Sequence, residues 1–244
     1  MSHGLGSGIS FTLILLVAWT IPGVAQSTGA RPRDSIQAAA LQVERAVQGT
    51  VLVSRADPEI TLTLPAHFSY VGGQRFLIGP VADAEQHLFV DADAQGSVRR
   101  LVWIQFEHRV PADTGSYDYR APERVRLGPF PFVTDTKLFA DYADTVLTTD
   151  SSKGAVDQAH VGRQLRARGY TPPRAVIRAR MFYLPDSAHR KELMIIYVKA
   201  LTMSDLNGRS VPAEAPGTQW PDLSREVIEE AERDIRIKAP SGHD

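Results

Sequence analysis

The stretch QHLFVDADAQGSVRRLVWIQFEHRV, residues 86–110, decides the fold of this 244-residue chain. Two runs rich in β-branched, aromatic and other apolar residues flank a turn at residues 93–96, in which Gly96 suits a backbone with positive φ. This pattern predicts an antiparallel hairpin made of Gln86–Asp91 and Ser97–Val110. Apolar residues occupy both odd and even positions of the second arm, which predicts a central strand covered on both faces.

Strand patterns adjoin one another along the chain instead of alternating with helices. Further strands are predicted at Thr50–Ser54, Glu59–Leu64, Phe68–Ile78, Arg174–Leu184 and Lys191–Met203. Helices are predicted at Ile36–Val47, Asp135–Leu147, Ala155–Arg168 and after Trp220, where Asp222 or Ser224 is the expected N-cap. This order favours an α+β fold, a mainly antiparallel sheet of about six to eight strands with helices packed on it in a two- or three-layer sandwich.

The segment Pro111–Pro131 is rich in Pro, Gly, Tyr and Arg and has no hydrophobic period. Loops of this length are uncommon in compact domains unless they are functional or mobile. We therefore predict a long surface loop at residues 111–131. It belongs to a single domain of residues 34–244, which a polar leader at residues 26–33 precedes.

An apolar run, FTLILLVAWTIPGV at Phe11–Val24, has the length of a secretory signal peptide. Small residues at Gly23 and Ala25 predict cleavage after Ala25, although no Lys or Arg precedes the run as in typical signal peptides. The run is shorter than the about 20 apolar residues of a membrane span. We therefore expect residues 1–25 to be removed and the protein to be periplasmic or secreted, with no membrane span left after cleavage.

Composition excludes several classes of function. Lys plus Arg number 27 and Asp plus Glu 28, a net charge of -1, so we expect no nucleic-acid partner. Cysteine is absent, which excludes disulfides, thiolate catalysis and thiolate zinc sites. The sequence also lacks the nucleophile elbow, the phosphate-binding loop, the zinc-protease motif and the dinucleotide glycine fingerprint. We therefore expect no cofactor and favour a non-catalytic protein.

Metal-ligand spacing is incomplete in this sequence. No two of its seven histidines stand two, three or four residues apart. Asp91, Asp93 and Gly96 have the spacing of half a calcium loop, but Val102 stands where the distal Glu should be. Asp and Gly are also common in hairpin turns for backbone reasons, so we expect no metal site.

Two arginines on one predicted strand suggest a ligand face. Arg178 and Arg180 stand about 6.6 Å apart on the same side of that strand, and guanidinium groups so placed can hold a carboxylate or a phosphate. With Trp103 and Tyr183 they form the ligand face that we predict, for a small apolar or anionic ligand or for a partner protein of the cell envelope. The alternative is that the two arginines pair with acidic residues packed over that face.

Two other functions remain open. Glu107 and His108 at a strand end, with Asp113 and Asp118 in the long loop, could supply the acid and base of a hydrolase if they converge within about 3 Å. A structural envelope protein that self-associates is the third hypothesis, and it requires a large exposed apolar patch.

Overall fold

Two antiparallel sheets and three helices make up the part of the chain that the computed structural model describes, residues 42–120, 123–149, 156–202, 204–206 and 214–240. These residues all belong to one compact unit, Ala40–Asp244. The predicted signal peptide, its cleavage position at Ala25 and the polar leader lie outside the described residues, so export stays a prediction.

The elements follow the strand-rich order that the sequence predicts. The strands are β1 (Ala46–Gln48), β2 (Val51–Ser54), β3 (Ile60–Thr63), β4 (Ser69–Ile78), β5 (Ala82–Ala92), β6 (Val98–Arg109), β7 (Glu123–Leu127), β8 (Phe130–Phe139), β9 (Val176–Tyr183), β10 (Lys191–Ala200), β11 (Glu214–Pro216) and β12 (Arg236–Lys238). The helices are α1 (Tyr142–Thr148), α2 (Val156–Ala167) and α3 (Pro221–Asp234), and a short 3-10 turn spans Gly217–Gln219.

Every pairing between the named strands is antiparallel, which confirms the predicted α+β fold with a mainly antiparallel sheet. The eight-stranded sheet has the order β11-β8-β9-β10-β6-β5-β4, with β7 also paired to β8. The four-stranded sheet has the order β1-β2-β3-β12. Strand β6 lies between β10 and β5, as its apolar residues on both faces predict, and Gly96 in the turn before it has a φ of 81°.

The large sheet buries both of its faces. On one face Val102, Ile104 and Phe106 of β6 share a core with α3 and the small sheet. On the other face Leu101 and Trp103 of β6 share a core with α1 and α2. We call these the α3 face and the α1–α2 face. Because strand residues alternate, Gln105 and Glu107 lie on the α1–α2 face.

The predicted helix at Asp135–Leu147 is wrong over its first part. Strand β8 continues to Phe139, and α1 begins only at Tyr142. Leu138 and Phe139 fit an apolar helical stripe in the sequence, yet Leu138 packs in the α3-face core and Phe139 in the α1–α2 core. Pairing of β8 with β9 decides between these two patterns, because it buries both side chains at once.

The predicted helix at Ile36–Val47 is wrong in its described part. Residues 42–45 are not helical, and 46–48 form β1. The Glu85 carboxylate accepts the backbone N–H groups of Glu44 at 2.8 Å and Arg45 at 2.9 Å. Tertiary hydrogen bonds therefore satisfy backbone groups that the predicted helix would have satisfied internally.

Two smaller predictions also need correction. The loop predicted at residues 111–131 is shorter, since Glu123–Leu127 pairs with β8 and buries Val125 and Leu127. The N-cap of α3 is Trp220 rather than Asp222 or Ser224, and no side chain caps the helix. The Ser224 hydroxyl instead donates to the Gly217 carbonyl oxygen at 2.8 Å.

The turn between β7 and β8 should tolerate no side chain at Gly128. Its φ is +61°, and a Cβ there would lie 2.0 Å from the Ile237 carbonyl oxygen of β12. Gly49 has a similar φ of +58° with nothing within 4 Å of its Cβ position. We expect Gly49→Ala to cost about 1–2 kcal/mol for backbone strain alone, and Gly128→Ala to cost about 1–3 kcal/mol more because backbone must move. Urea unfolding measures both losses, and equal losses would contradict the close approach.

Candidate functional site

The structure does not bring the four residues of the predicted ligand face together. Trp103, Arg178 and Arg180 lie on the α1–α2 face, whereas Tyr183 packs against the α3-face core. Trp103 is 5% exposed, and its indole N–H donates to Gln105 Oε1 at 2.8 Å. These positions leave no common surface on which one small ligand could contact all four side chains.

The two arginines of this set have different surroundings. Arg180 Nε and Nη2 donate to the Asp135 carboxylate at 2.9 and 2.5 Å, which matches the alternative that the arginines pair with acids. Arg178 lies over the Phe139 ring, 4.8 Å from its centroid, and burial lowers its pKa to about 10. Its Nε has no hydrogen-bond partner in the described part of the chain.

The four residues of the hydrolase hypothesis do not converge. Glu107 lies on the α1–α2 face, and the exposed His108 lies on the opposite face of the same strand. Asp113 accepts a hydrogen bond from Arg109 Nε at 2.5 Å. Asp118 is 69% exposed and lies 3.3 Å from Arg120 Nε. The cleft that the hypothesis requires is therefore not formed by these side chains.

The two aspartates of the half calcium loop, Asp91 and Asp93, already bind other groups of the hairpin. Asp93 Oδ1 accepts the backbone N–H groups of Gln95 and Ser97, both at 2.9 Å. The Asp91 carboxylate binds Arg99 at 2.6 Å and Arg100 at 2.8 Å. Within the residues described, no group of three potential metal ligands is clustered.

A buried and a half-buried carboxyl group are neighbours across the large sheet. Glu107 of β6 is the cross-strand partner of Glu192 of β10, which is 2% exposed. Glu107 accepts hydrogen bonds from Gln105 Nε2 at 2.6 Å and from the Tyr117 hydroxyl at 2.8 Å. The Tyr119 hydroxyl donates to Glu192 Oε2, whereas Glu192 Oε1 has no partner among the described residues. We call Glu107 and Glu192 the carboxyl pair.

Burial and mutual repulsion act on the protonation of this pair. Burial raises the pKa of Glu192 to about 8, and the neighbouring Glu107 carboxylate adds to that rise. Burial likewise raises the pKa of Glu107, with a further contribution from Asp157 of α2. Both effects favour a protonated carboxyl, since two adjacent carboxylates with little access to water cannot both ionise at low cost.

A row of amides connects the carboxyl pair to α2. Gln86 Nε2 donates to Gln105 Oε1 at 3.1 Å, and Gln74 Nε2 donates to Gln86 Oε1 at 2.8 Å. His160 Nδ1 of α2 lies 2.6 Å from Gln74 Oε1. Burial, aided by the charge of Arg163, lowers the pKa of His160 to about 4, so the imidazole is neutral at physiological pH.

A second buried network lies on the α3 face. His87 is fully buried, with Nε2 2.8 Å from Glu85 Oε1 and Nδ1 3.0 Å from the Tyr70 hydroxyl. Although burial alone would raise it, hydrogen bonds from His87 and from the backbone at residues 44 and 45 hold the pKa of Glu85 at about 2. Arg45 adds a 3.1 Å ion pair. We interpret this network as structural, because it joins β1 to β5 and saturates the carboxylate.

An aromatic pocket of about 280 Å³ lies where β9 ends beside residues 111–120, which we call the cover segment. The Tyr119 ring of the cover segment stacks on Phe182, with centroids 3.9 Å apart and planes 9° apart. Arg124, Tyr183 and His189 also line the pocket. Their three polar side-chain ends make no hydrogen bond or ion pair with any residue that the structure describes.

The sequence prediction missed most of these residues. Of the pocket residues named above, it included only Tyr183, and of the carboxyl pair only Glu107. One signal was present, because Glu192 is an acid within an otherwise apolar strand that the pattern predicts to be covered. The spacing of Tyr117 and Tyr119 also places both side chains on one side of an extended segment.

Comparison with family models, curated proteins and solved structures finds no match to this chain. Among the described residues, no helix is both long and apolar enough to cross a membrane.

We expect Glu192→Gln to stabilise the protein at alkaline pH. The pKa of Glu192 is higher in the folded chain than in the unfolded chain, so the folded chain binds this proton more tightly. The free energy of unfolding therefore falls as pH rises from about 4.5 to about 8. The uncharged amide removes this loss. The variant should exceed the wild type by on the order of 2–4 kcal/mol near pH 8.5 and match it near pH 4.5, as measured by urea unfolding.

Glu232→Gln is the matched control for this measurement, because Glu232 is an exposed carboxyl of α3. It should change the free energy of unfolding by less than about 0.5 kcal/mol at either pH. A Glu192→Gln variant no more stable than the wild type near pH 8.5 would show that Glu192 ionises freely in the folded protein.

Proposed function

We propose that the protein is an exported, non-catalytic domain that binds a small ligand with a flat apolar body and an anionic group in the aromatic pocket. The observation that carries this proposal is the set of unpaired polar groups at its aromatic wall. Arg124 and His189 are exposed there, and the Tyr183 hydroxyl is free of partners within the described residues.

Another cleft, of about 220 Å³ on the α3 face, contains more charged side chains, but most of them are already paired. Arg75 pairs with Asp83 at 2.6 Å, and Lys191 pairs with Asp57. Arg45 is bound to Glu85. A ligand in that cleft would have to replace existing ion pairs, whereas Arg124 and His189 of the aromatic pocket make no ion pair with the described residues.

The chemistry of the aromatic pocket defines the ligand class. The half-buried Tyr119 and Tyr183 contribute apolar ring surface to the lining of the pocket. The Arg124 guanidinium can bind a carboxylate, a phosphate or a sulfonate through two parallel hydrogen bonds. No nucleophile with an adjacent base lines the pocket, which is why we favour binding over hydrolysis.

The other hypotheses have less support. Self-association needs a large apolar patch, and in the described residues the exposed large hydrophobic side chains are Val43 and Leu77. Export is supported by the apolar run at Phe11–Val24 and the small residues before Gln26. An envelope location would give the pocket access to ligands outside the cytoplasm.

Binding should be detectable with anilinonaphthalene sulfonate, which joins flat rings to an anion. We expect saturable binding to the folded protein at a single site, followed by dye fluorescence. Arg124→Gln should weaken the affinity roughly tenfold, because a hydrogen bond to a charged group contributes about 1.5–3 kcal/mol.

Arg126→Gln is the matched control, since it removes the same charge from the same strand. The Arg126 side chain donates to the Pro129 carbonyl oxygen at 3.0 Å and does not line the pocket. Its affinity should stay within about twofold of the wild type. Equal weakening by both variants would mean that the dye responds to net charge and not to the pocket.

Export is tested separately by sequencing the amino terminus of the protein after expression in a bacterial host. We expect a mature chain that begins at Gln26. Ala25→Asp should prevent cleavage, because signal peptidase requires a small residue there. An intact Met1 on the wild-type protein would contradict the proposed signal peptide.

A further inference from the structure

We propose that Arg178 and Tyr142 form a binding site for a carboxylate on the α1–α2 face, apart from the aromatic pocket. Both side chains pack on the ring of Phe139. The guanidinium carbon of Arg178 lies 4.8 Å from the ring centroid, and the ring of Tyr142 meets Phe139 edge-on with centroids 5.9 Å apart. The two groups that would hold the carboxylate are therefore neighbours. The site is independent of the proposed function.

The Arg178 guanidinium has hydrogen-bonding capacity that the described part of the chain does not use. Its Nε is buried without a partner, and its two Nη groups form no hydrogen bond or ion pair with any described residue. The contact with Phe139 stabilises the charge but gives the five N–H donors no acceptor oxygen. A guanidinium with little access to water and no anion beside it is destabilising, so an anion that binds there would be held firmly.

The acidic side chains at the corner of the large sheet formed by β11, β8 and β9 are already bound to other cations. Strand register places Lys137 opposite Arg178, and Asp135 opposite Arg180. Arg180 donates to Asp135 through two nitrogens, at 2.9 and 2.5 Å, and Lys137 pairs with Glu214 of β11. Arg178 is therefore the cation of this group that has no acid of its own.

The Tyr142 hydroxyl supplies a second donor. Tyr142 is 4% exposed, and its hydroxyl makes no hydrogen bond with any residue that the structure describes. Burial raises the pKa of Tyr142 to about 12, so the phenol keeps its proton at neutral pH and can donate it to an anion. The positive charge of Arg178 acts on this hydroxyl in the opposite direction, as expected for neighbouring groups.

This corner of the sheet is open to solvent. Asp135, Lys137 and Arg180 line a cleft of about 330 Å³, and Lys137 is the cross-strand neighbour of Arg178. Arg178 itself is only half-buried. A ligand as small as acetate therefore has a route toward the guanidinium from the side of β8.

The donors and their surroundings favour a carboxylate over a dianion. A guanidinium matches a planar carboxylate through two parallel hydrogen bonds, and a phenol can donate to a remaining lone pair. Asp157, in the first turn of α2, is a further acid near Arg178, although its Oδ1 accepts the Gln158 backbone N–H at 2.8 Å. Together with Asp135 it adds negative charge around the site. A ligand with a single negative charge is repelled less there than sulfate.

Acetate is the probe, because it is a carboxylate with little else to bind. Urea unfolding of the full chain is compared in sodium acetate and sodium chloride, both at about 100 mM and about pH 7, where acetate is ionised. A ligand that binds only the folded chain raises the urea midpoint. We expect the wild-type midpoint to be higher in acetate by at least about 0.3 M.

Arg178→Met keeps an unbranched apolar stem against Phe139 but has no N–H donor, so it should lose most of the acetate shift. Arg174→Met is the matched control, because Arg174 lies just before β9 with 86% of its side chain exposed and pairs with Asp141. It should keep the wild-type shift. Tyr142→Phe is the second variant if Arg178→Met fails to fold. It removes only the hydroxyl and should reduce the shift by about half.

Three outcomes would overturn the proposal. The first is a wild-type midpoint that is the same in acetate and chloride. The second is an acetate shift of equal size in the wild type and in Arg178→Met, which would mean that acetate acts elsewhere on the chain. The third is a larger Arg178-dependent shift in sodium sulfate at the same ionic strength, which would overturn the assignment to carboxylates.

Discussion

The antiparallel pairing of β6 with β10 is the contact on which the rest of this structure depends. It places apolar side chains on both faces at once, with Ile104 opposite Ile195 toward α3 and Trp103 opposite Ile196 toward α1 and α2. Each face then requires its own cover, because an apolar sheet face exposed to water is unfavourable. The small sheet with α3 supplies one cover, and α1 with α2 supplies the other.

The same register brings two carboxyl groups together at the end of that strand pair. Ile104 and Ile195 can be paired only if Glu107 and Glu192 are paired three residues further along. The register that packs the apolar core therefore also places the two carboxyl groups side by side. Two tyrosines of the cover segment and the amide of Gln105 satisfy three of the four carboxyl oxygens, and one is left without a partner in the described structure.

The polar side chains of this protein fall into two groups. Those with a structural role form hydrogen bonds or ion pairs within the protein, whereas those that we assign to ligand binding do not. Glu85 and His87 are buried and fully bonded, and they hold the edge of the domain together. Arg124 and His189 beside the aromatic pocket are exposed, and their side chains make no hydrogen bond or ion pair with the described residues. Tyr119 belongs to both groups, since its hydroxyl bonds to the carboxyl pair while its ring lines the pocket.

The sequence alone predicts a strand correctly where the apolar pattern and the turn residues both indicate the same hairpin. The run at residues 86–110 predicts a hairpin with a central arm, and the structure contains it, because Gly96 and the apolar residues around it act within a few positions. Competing patterns were decided only by tertiary contacts. Leu138 and Phe139 fit the pattern of a helix, but pairing with β9 makes them part of a strand. Residues 44–47 also fit the predicted helix, but Glu85 binds the backbone N–H groups of residues 44 and 45. The site was harder to predict from the sequence than the strands. Glu107 and Glu192 are 85 residues apart in the chain and become neighbours only through the register of β6 and β10, and Tyr119 contacts Phe182 only in the folded structure. The spacing of apolar residues along the sequence indicates which side chains are buried. Which polar side chains meet is decided by the pairing of strands that are distant in the chain, and no local sequence pattern predicts that pairing.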